Sequence, residues 1–194
     1  MASEASIEGG FAHVTDGSWL MGAAQPAVCR GTMREQCMRG WLVPDRGSLR
    51  IVEISGVASC SDAKRPFLAR IDCAEKLCVV SWRILVAPAA ARTGSHLIRV
   101  VPMSFKYAIA VTEFKNPGWA VAATASRVNR FVLAEGEILS VRRESAVAWT
   151  TKNPVGHCPK LTMRDVLLPR RREKTLWLNF YGPGVVWAEG AHGV

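Results

Sequence analysis

The chain has 194 residues, 49% of them hydrophobic and 21% charged, which is an ordinary composition for a folded domain and not that of a disordered chain. No apolar run approaches the roughly 18 residues that a membrane-spanning helix needs, so the sequence predicts no such helix. The formal net charge is +9, and this balance favours an anionic partner: nucleic acid, an acidic protein surface or lipid head groups.

The first ten residues are predicted to be an N-terminal tail. Met1–Glu8 is acidic, has no apolar core, and resembles neither a secretory signal nor an Arg-rich transit peptide. The positive charge lies further along the chain. Residues 61–130 carry eleven basic and four acidic side chains and residues 131–194 carry nine and six, whereas residues 1–60 carry five and six.

Two segments 66 residues apart indicate an internal repeat. Residues 114–122 read Phe-Lys-Asn-Pro-Gly-Trp-Ala-Val-Ala, and residues 180–188 read Phe-Tyr-Gly-Pro-Gly-Val-Val-Trp-Ala. Proline presets φ at one position of a turn and glycine permits a positive φ at the next, so each segment predicts a strand, a tight turn and a strand. Ser55-Gly56 is interpreted as a degraded copy of this corner.

A second pair of segments, residues 74–87 and 134–148, shares a turn, an apolar strand, a polar break and another apolar strand ending in Val-Ala. Residues 15–24 form a weaker third copy. Equivalent turns are therefore predicted at Gly17, Lys76 and Gly136. Ile54 precedes Cys73 by 19 residues, as Phe114 precedes Leu133. These spacings predict three repeats, at 11–72, 73–132 and 133–190.

The predicted fold is all-β. Alternating apolar residues with β-branched and aromatic side chains, as in Leu97-Ile-Arg-Val-Val, are typical of strands. One such unit cannot bury its own apolar face, so three β-sandwich-like repeats are expected to pack around a shared centre as a single domain over residues 11–190. Little helix is expected: one or two turns at each of Thr32–Met38 and Leu161–Leu167. Residues 87–96 and 151–172 are predicted to be connecting loops.

Residues 73–190 resemble the altered-inheritance-of-mitochondria protein twenty-four family, and residues 11–72 do so only through the repeat spacing. The similarity rests on a leucine followed by Gly-Glu at Leu133–Glu137, a strand ending in Val-Ala at 147–148, and the terminal Gly-Pro-Gly-Val-Val-Trp at 182–187. It implies a pseudo-threefold ring similar to the tryptophan RNA-binding attenuation protein fold. Bacterial members have no established activity, and fungal members are mitochondrial and linked to inner-membrane organisation.

The sequence departs from that family in its loops and its end. Ala188-Glu189 follow Trp187 where the family continues with Leu-Gln, and residues 89–96 and 156–174 replace glycine-rich stretches. Since surface loops commonly carry function, these changes indicate a partner specific to this lineage.

Residues with catalytic potential are scattered. The four histidines are His13, His96, His157 and His192, and the only adjacent Cys/His pair is His157-Cys158, whose side chains point apart on an extended loop. Gly94-Ser95-His96 is not a nucleophile elbow, and Gly182-Pro183-Gly184 is not a phosphate loop. The sequence thus predicts a protein that is not an enzyme, with no catalytic residues, metal or cofactor and no small-molecule substrate. Cys60, Cys73 and Cys78 lie among apolar residues and are expected to be buried, reduced thiols.

Spaced cations could contact a nucleic-acid backbone. The candidate residues for binding nucleic acid or a protein partner are Arg127, Arg130, Arg142, Arg143, Arg170, Arg171, Arg172 and Lys174. Five tryptophans at strand positions could stack on bases, although core packing is the commoner role there: Trp82, Trp119, Trp149, Trp177 and Trp187. No RNA-binding motif is present, so contacts to backbone and shape are expected instead of base-specific ones.

Three functions follow as hypotheses. The favoured one is a structural or assembly subunit of a large mitochondrial complex, the mitochondrial ribosome above all, that contacts rRNA backbone and neighbouring protein subunits through basic loops. The second, implied by the family resemblance, is an inner-membrane organising or respiratory-complex accessory factor that acts by protein–protein contacts near the membrane. The third is an enzyme or small-ligand binder. The expected location is the mitochondrial matrix or the matrix face of the inner membrane.

Overall fold

The structure is a computed structural model that describes residues 4–15, 18–21, 25–43, 47–62, 64–73, 76–88, 92–100, 108–114, 118–157 and 176–190. Seventeen strands lie within these ranges. The first nine are β1 Ala5–Glu8, β2 Phe11–Val14, β3 Ser18–Met21, β4 Gln25–Val43, β5 Gly47–Ser61, β6 Phe67–Cys73, β7 Leu77–Val80, β8 Ile84–Pro88 and β9 Arg92–Arg99. The other eight are β10 Ala108–Phe114, β11 Gly118–Thr124, β12 Val128–Leu133, β13 Ile138–Arg142, β14 Ala146–Trp149, β15 Val155–His157, β16 Trp177–Tyr181 and β17 Gly184–Glu189.

The strands form three antiparallel sheets, which confirms the all-β prediction. The first sheet has the order β1-β2-β5-β3-β8-β11-β6, with β4 paired to β5. The second has the order β12-β17-β14-β7-β10-β9, and the third has the order β13-β16-β15. Single turns of 3-10 helix at Ser81–Arg83 and Arg143–Ser145 link β7 to β8 and β13 to β14. Each turn therefore carries the chain from one sheet to another.

The central strands of the second sheet are buried on both of their faces. Along β7, Cys78 and Val80 pack into one apolar core with Leu178 and Phe180 of the third sheet. Leu77 and Val79, the alternate residues, pack into a separate core with residues of the first sheet, among them Ile71 and Ala120. A third core lies on the opposite face of the first sheet and includes Trp119 and Val121.

Burial on both faces explains why the central strands are nearly continuous apolar runs of small residues. All four residues of β7 and of β14 are buried, and so are six of the seven in β10 and in β11. Strands with one solvent-exposed face alternate apolar and polar residues. Strands that lie between two layers cannot hold a charged side chain on either face, so they are apolar throughout. The alanines of β11 allow the layers to approach closely.

The predicted Pro-Gly corners lie where the chain changes sheets. β10 belongs to the second sheet and β11 to the first, and β16 belongs to the third and β17 to the second. At the last corner Gly184 has φ +147°, and a Cβ on Gly182 would lie 1.9 Å from the Ala134 carbonyl oxygen. Both positions therefore require glycine. At Ser55-Gly56 the strand β5 continues without a turn, but Gly56 has φ +113°.

Gly56 marks a change of partner within β5. Residues before it pair with β3, up to Ile54 opposite Ser18, and residues after it pair with β2, from Ala58 opposite Val14. The corner predicted here is thus a bend in one long strand and not a break between two strands.

Three strand pairs share one irregularity. The ladders β4·β5, β8·β11 and β14·β17 each skip a single residue, namely Ala27, Leu85 and Val147. An extra residue in one strand of an antiparallel pair is a β-bulge. The recurrence of the bulge in the same strand order is what three copies of one unit would produce; the number of repeats and their ring arrangement stay a prediction.

Several local predictions are wrong. Thr32–Met38, predicted as helical turns, lies inside β4, where Met33 pairs with Ile54 and Gln36 pairs with Ile51. Its long unbranched side chains favour helix, but pairing along the whole of β5 overrides that weak preference. The predicted loop 87–96 contains the end of β8 and the start of β9, and β15 lies within the predicted loop 151–172.

The predicted N-terminal tail is partly wrong, and the second predicted helical segment falls on residues that the structure does not describe. Residues 5–8, expected to be part of a tail, form β1 on the edge of the first sheet. Arg70 on β6 donates a hydrogen bond to the Ala5 carbonyl, which holds β1 near the opposite edge of the same sheet. Leu161–Leu167 lies outside the described residues.

Two of the predicted thiols are buried, as expected. Cys60 and Cys78 are fully enclosed in apolar cores. Burial raises the pKa of the Cys78 thiol to about 11, and the positive charge of Lys76 lowers it by a smaller amount. Cys78 is therefore a neutral, packed side chain at physiological pH. The side chain of Cys73 lies outside the described residues.

A buried ion pair joins the 3-10 turn after β7 to the end of β17. Arg83 contacts the carboxylate of Glu189, and the two side chains are 6% and 12% exposed. Arg83 also donates to the Glu144 carbonyl, and Glu189 accepts from the Ala125 backbone N–H at 2.6 Å. The pair thereby joins the ends of strands from two sheets.

Replacing Glu189 with alanine should lower the free energy of unfolding by about 3 kcal/mol, because Arg83 would remain buried without its counter-charge. Urea denaturation followed by circular dichroism measures the change. The control is Asp72→Ala, which removes a carboxylate that is 63% exposed beside Arg70 and should cost less than about 1 kcal/mol. Equal losses for the two variants would contradict this account.

Candidate functional site: the outer face of the third sheet

The third sheet has one face against a core and one face turned away from it. Leu139 and Val141 of β13 and Leu178 and Phe180 of β16 point into the core shared with the second sheet. Their neighbours along each strand point the other way, since side chains alternate along a strand. These eight residues are named the outer face: Ile138, Ser140, Arg142, Val155, His157, Trp177, Asn179 and Tyr181.

The strand registers arrange the outer face in three rows. Arg142, Trp177 and His157 lie side by side in the first row, because Trp177 pairs with both of its neighbours. The Arg142 guanidinium carbon lies 5.5 Å from the centre of the Trp177 ring, within the range of a cation–π contact. This row combines an exposed cation, a half-buried indole and an exposed imidazole.

The middle row is polar and the last row is apolar. In the middle row the Ser140 hydroxyl donates a hydrogen bond of 2.8 Å to Asn179 Oδ1, beside exposed Val155. In the last row Ile138 is 60% exposed and Tyr181 is 42% exposed, although the two are directly opposite each other. The two side chains form a small apolar area on the outer face, next to the polar middle row.

The structure brings one of the predicted basic residues onto the outer face, namely Arg142. Arg143 is half-buried at the following 3-10 turn, where its guanidinium carbon lies 6.0 Å from the centre of the Trp82 ring. Arg130 is exposed on β12 opposite Trp187, and Arg127 is exposed just before that strand. The other predicted cations, Arg170, Arg171, Arg172 and Lys174, lie outside the described residues.

The five tryptophans occupy two kinds of position, core and surface. Trp119 and Trp149 are buried in cores, and Trp187 packs against the core between the first and second sheets. Trp82 is partly buried against the core between the second and third sheets. Trp177 is half-buried on the outer face, and the exposed side chain of Arg142 lies over its ring.

Sequence reasoning missed the grouping of Trp177, His157 and Tyr181 with Arg142. Residues 158–175 separate β15 from β16 along the chain, so their pairing could not be inferred from proximity in sequence. The alternation within Trp177–Tyr181 indicates that Trp177 and Tyr181 lie on the same face of the strand, but it does not indicate whether that face is exposed.

A second feature that the sequence did not indicate lies near the N-terminus. His13 Nδ1 and the Ser59 hydroxyl are 2.8 Å apart across β2 and β5. Beside them is a cavity of about 390 Å³ whose polar lining includes Glu4, Thr15 and Arg70. The Arg70 side chain is already engaged, since it bonds to Asp72 and to the Ala5 carbonyl. The cavity therefore offers few polar groups that are directed at a ligand.

His157 of the predicted Cys/His pair is exposed on β15, and Cys158 lies outside the described residues. Within the part of the chain that the structure describes, no three His, Cys, Asp or Glu side chains lie close enough together to hold a metal ion. None of the helices in the described ranges has the length and apolar character that crossing a membrane demands.

Comparison with known proteins supports the fold. None of the protein-family models matches the chain, and no curated protein matches it. The chain is similar to a protein from Streptococcus pyogenes determined by X-ray crystallography as a structural-genomics target. The TM-score is 0.70 at 11% sequence identity, and the match covers 97% of this chain and 94% of that one. At this identity the likeness shows the fold alone.

Proposed function

We propose that the chain is a non-catalytic structural or assembly subunit of a large ribonucleoprotein complex that contacts RNA backbone through the outer face. The observation that carries the proposal is the row formed by Arg142, Trp177 and His157. Single-stranded nucleic acid is bound by cations that follow its backbone and by aromatic rings on which bases stack. Stacking tolerates any base, so this row needs no base-specific motif.

The charge distribution supports an RNA partner. The net charge is +9, and the excess lies after residue 60. No acidic side chain lies on the outer face, whose charged or titratable members are Arg142 and His157. Exposed Arg127 and Arg130 on and before β12 could add phosphate contacts from a neighbouring part of the surface.

A mitochondrial host follows from the family resemblance. Membership of the altered-inheritance-of-mitochondria protein twenty-four family is part of this proposal, and it rests on the corner at 182–187 and the turn at 133–137. The mitochondrial ribosome is the favoured complex because a basic β-rich protein suits an RNA-rich surface. The chain would then lie in the matrix or on the matrix face of the inner membrane, with other protein subunits as partners.

The apolar row supports a second candidate. Ile138 and Tyr181 could bind an apolar protein surface, as expected of an inner-membrane organising or respiratory-complex accessory factor. The two candidates differ in how binding depends on salt. Binding through phosphate contacts weakens steeply as salt rises because counterions are released, whereas binding through apolar contacts does not.

RNA binding is tested by measuring the affinity for an unstructured single-stranded RNA at several salt concentrations. We expect a steep loss of affinity with salt, and we expect Arg142→Gln to reduce the slope of log K against log salt by about 0.7, the value for one lost phosphate contact on a single strand. The control is Arg70→Gln. Arg70 also lies over a tryptophan, 5.7 Å from the Trp119 ring centre, but it is on the first sheet. Equal slopes for Arg142→Gln and the wild type would contradict RNA binding by this face.

Membership in a complex is tested by sedimenting the native protein from a mitochondrial lysate through a density gradient, with and without ribonuclease. The proposal predicts that the protein sediments with a large particle and moves to lighter fractions after ribonuclease treatment. Sedimentation with a large particle that resists the nuclease would favour the accessory-factor candidate. Sedimentation as a small species in both gradients would refute both.

A further inference from the structure

The polar pair in the middle row of the outer face has hydrogen-bonding groups to offer a ligand. Ser140 and Asn179 are directly opposite each other between β13 and β16, and the Ser140 hydroxyl donates to Asn179 Oδ1 over 2.8 Å. This bond engages the Ser140 hydrogen and the Asn179 carbonyl oxygen. An amide also has two N–H donors, and a hydroxyl oxygen also accepts. The pair therefore presents the N–H donors of Asn179 beside the acceptor oxygen of Ser140.

The middle row lies between two aromatic rings of the same strand. Trp177 and Tyr181 flank Asn179 on β16, two residues away on either side, and all three belong to the outer face. Four residues of an antiparallel strand span about 13 Å. Bases along one strand of a duplex are about 3.4 Å apart, so bases placed on the two rings are too far apart to stack on each other. The sugar–phosphate chain that joins two such bases then has to cross the middle row.

The part of that chain that fits the middle row best is a ribose 2′-hydroxyl. This group is both a donor and an acceptor, and it is what lets a protein tell RNA from DNA at a given site. It can accept from the Asn179 amide and donate to the Ser140 oxygen while the bond between the two side chains stays intact. A phosphate oxygen is an acceptor alone, so it would leave the acceptor oxygen of Ser140 facing another acceptor.

We propose that Ser140 and Asn179 bind a ribose 2′-hydroxyl and thereby make the outer face prefer single-stranded RNA to single-stranded DNA. The inference rests on the proposed function. Arg142 and the aromatic rings supply what the two nucleic acids share, because phosphate contacts and base stacking do not depend on the sugar. The middle row supplies the contact that depends on the sugar.

The expected preference is modest because water reaches the pair. Ser140 is exposed and Asn179 is half-buried, so a bound deoxyribose leaves no fully buried polar group without a partner. A hydrogen bond formed in exchange for bonds to water changes an equilibrium constant about five-fold. We therefore expect RNA to bind about five-fold more tightly than DNA of the same base sequence.

The first test compares three single-stranded probes of equal length on the wild-type chain: oligouridine, oligodeoxyuridine and 2′-O-methyl oligouridine. The probes share bases and phosphates and differ at the 2′ position. Oligouridine should bind about five-fold more tightly than oligodeoxyuridine. The 2′-O-methyl probe should also bind more weakly than oligouridine, since its ether oxygen can accept from Asn179 but has no hydrogen to donate to Ser140.

The second test uses Ser140→Ala and Asn179→Ala. Each variant should bind oligouridine more weakly and oligodeoxyuridine as the wild type does, so that the preference for RNA disappears. A general loss of structure would instead weaken binding of the two probes alike. The matched control is Ser59→Ala, which removes a hydroxyl that bonds to His13 over 2.8 Å on the first sheet and should keep the wild-type preference.

The outcomes separate this inference from the proposed function. Equal affinity of the wild-type chain for oligouridine and oligodeoxyuridine overturns the role of the middle row and leaves binding by the outer face in place. A preference for RNA that survives in Ser140→Ala and in Asn179→Ala overturns it as well, because the 2′-hydroxyl is then recognised elsewhere. Binding to neither probe overturns the proposed function together with this inference.

Discussion

The structure depends on the burial of the second sheet between the other two. Its central strands carry apolar side chains on both faces, with Cys78 and Val80 on one side of β7 and Leu77 and Val79 on the other. Such a sheet cannot face water on either side, because each face would expose a contiguous apolar surface. The first and third sheets must therefore cover it, and the chain must cross between sheets at short corners. Gly182 and Gly184 meet that need at one of these corners, since a side chain at either position would meet Ala134 or Thr151.

The same constraint determines where binding can occur. A strand covered on both faces can hold little besides apolar residues, and the ion pairs described beside these layers, Arg83 with Glu189 and Lys76 with Glu113, are made within the chain. Within the ranges that the structure describes, the third sheet packs against a core on one side only. Its outer face can carry a cation, an imidazole, hydrogen-bonding groups and exposed aromatic rings without cost to the core. In this account the buried layers give the fold, and the outer face of the third sheet is the surface proposed to bind a partner.

The sequence predicts the fold class and the corners better than it predicts the site. Pro-Gly and Gly-Pro-Gly segments and short β-branched runs indicate strands and sheet changes through local backbone chemistry, and these are found at 118 and 182–184. The helical prediction at Thr32–Met38 is wrong because its side chains favour helix, whereas its pairing with the next strand, β5, along a long antiparallel ladder makes it extended. The charge of Arg142 makes it a candidate in the sequence. Its contact with Trp177 depends on the pairing of β13 with β16, which are far apart along the chain. The packing of whole layers determines which face of the third sheet is exposed, and no local sequence pattern indicates that packing.

Hydrogen exchange of the protein with and without single-stranded RNA tests the central claim most directly, because it reports where on the chain the partner binds. Backbone amides of Ile138–Arg142 and Trp177–Tyr181 should exchange more slowly with RNA present, while those of the largely buried strand Gly118–Thr124 should exchange at the same rate in both samples. Protection that lies elsewhere on the chain, or no protection at RNA concentrations that saturate binding, would contradict the assignment of the outer face as the site of contact.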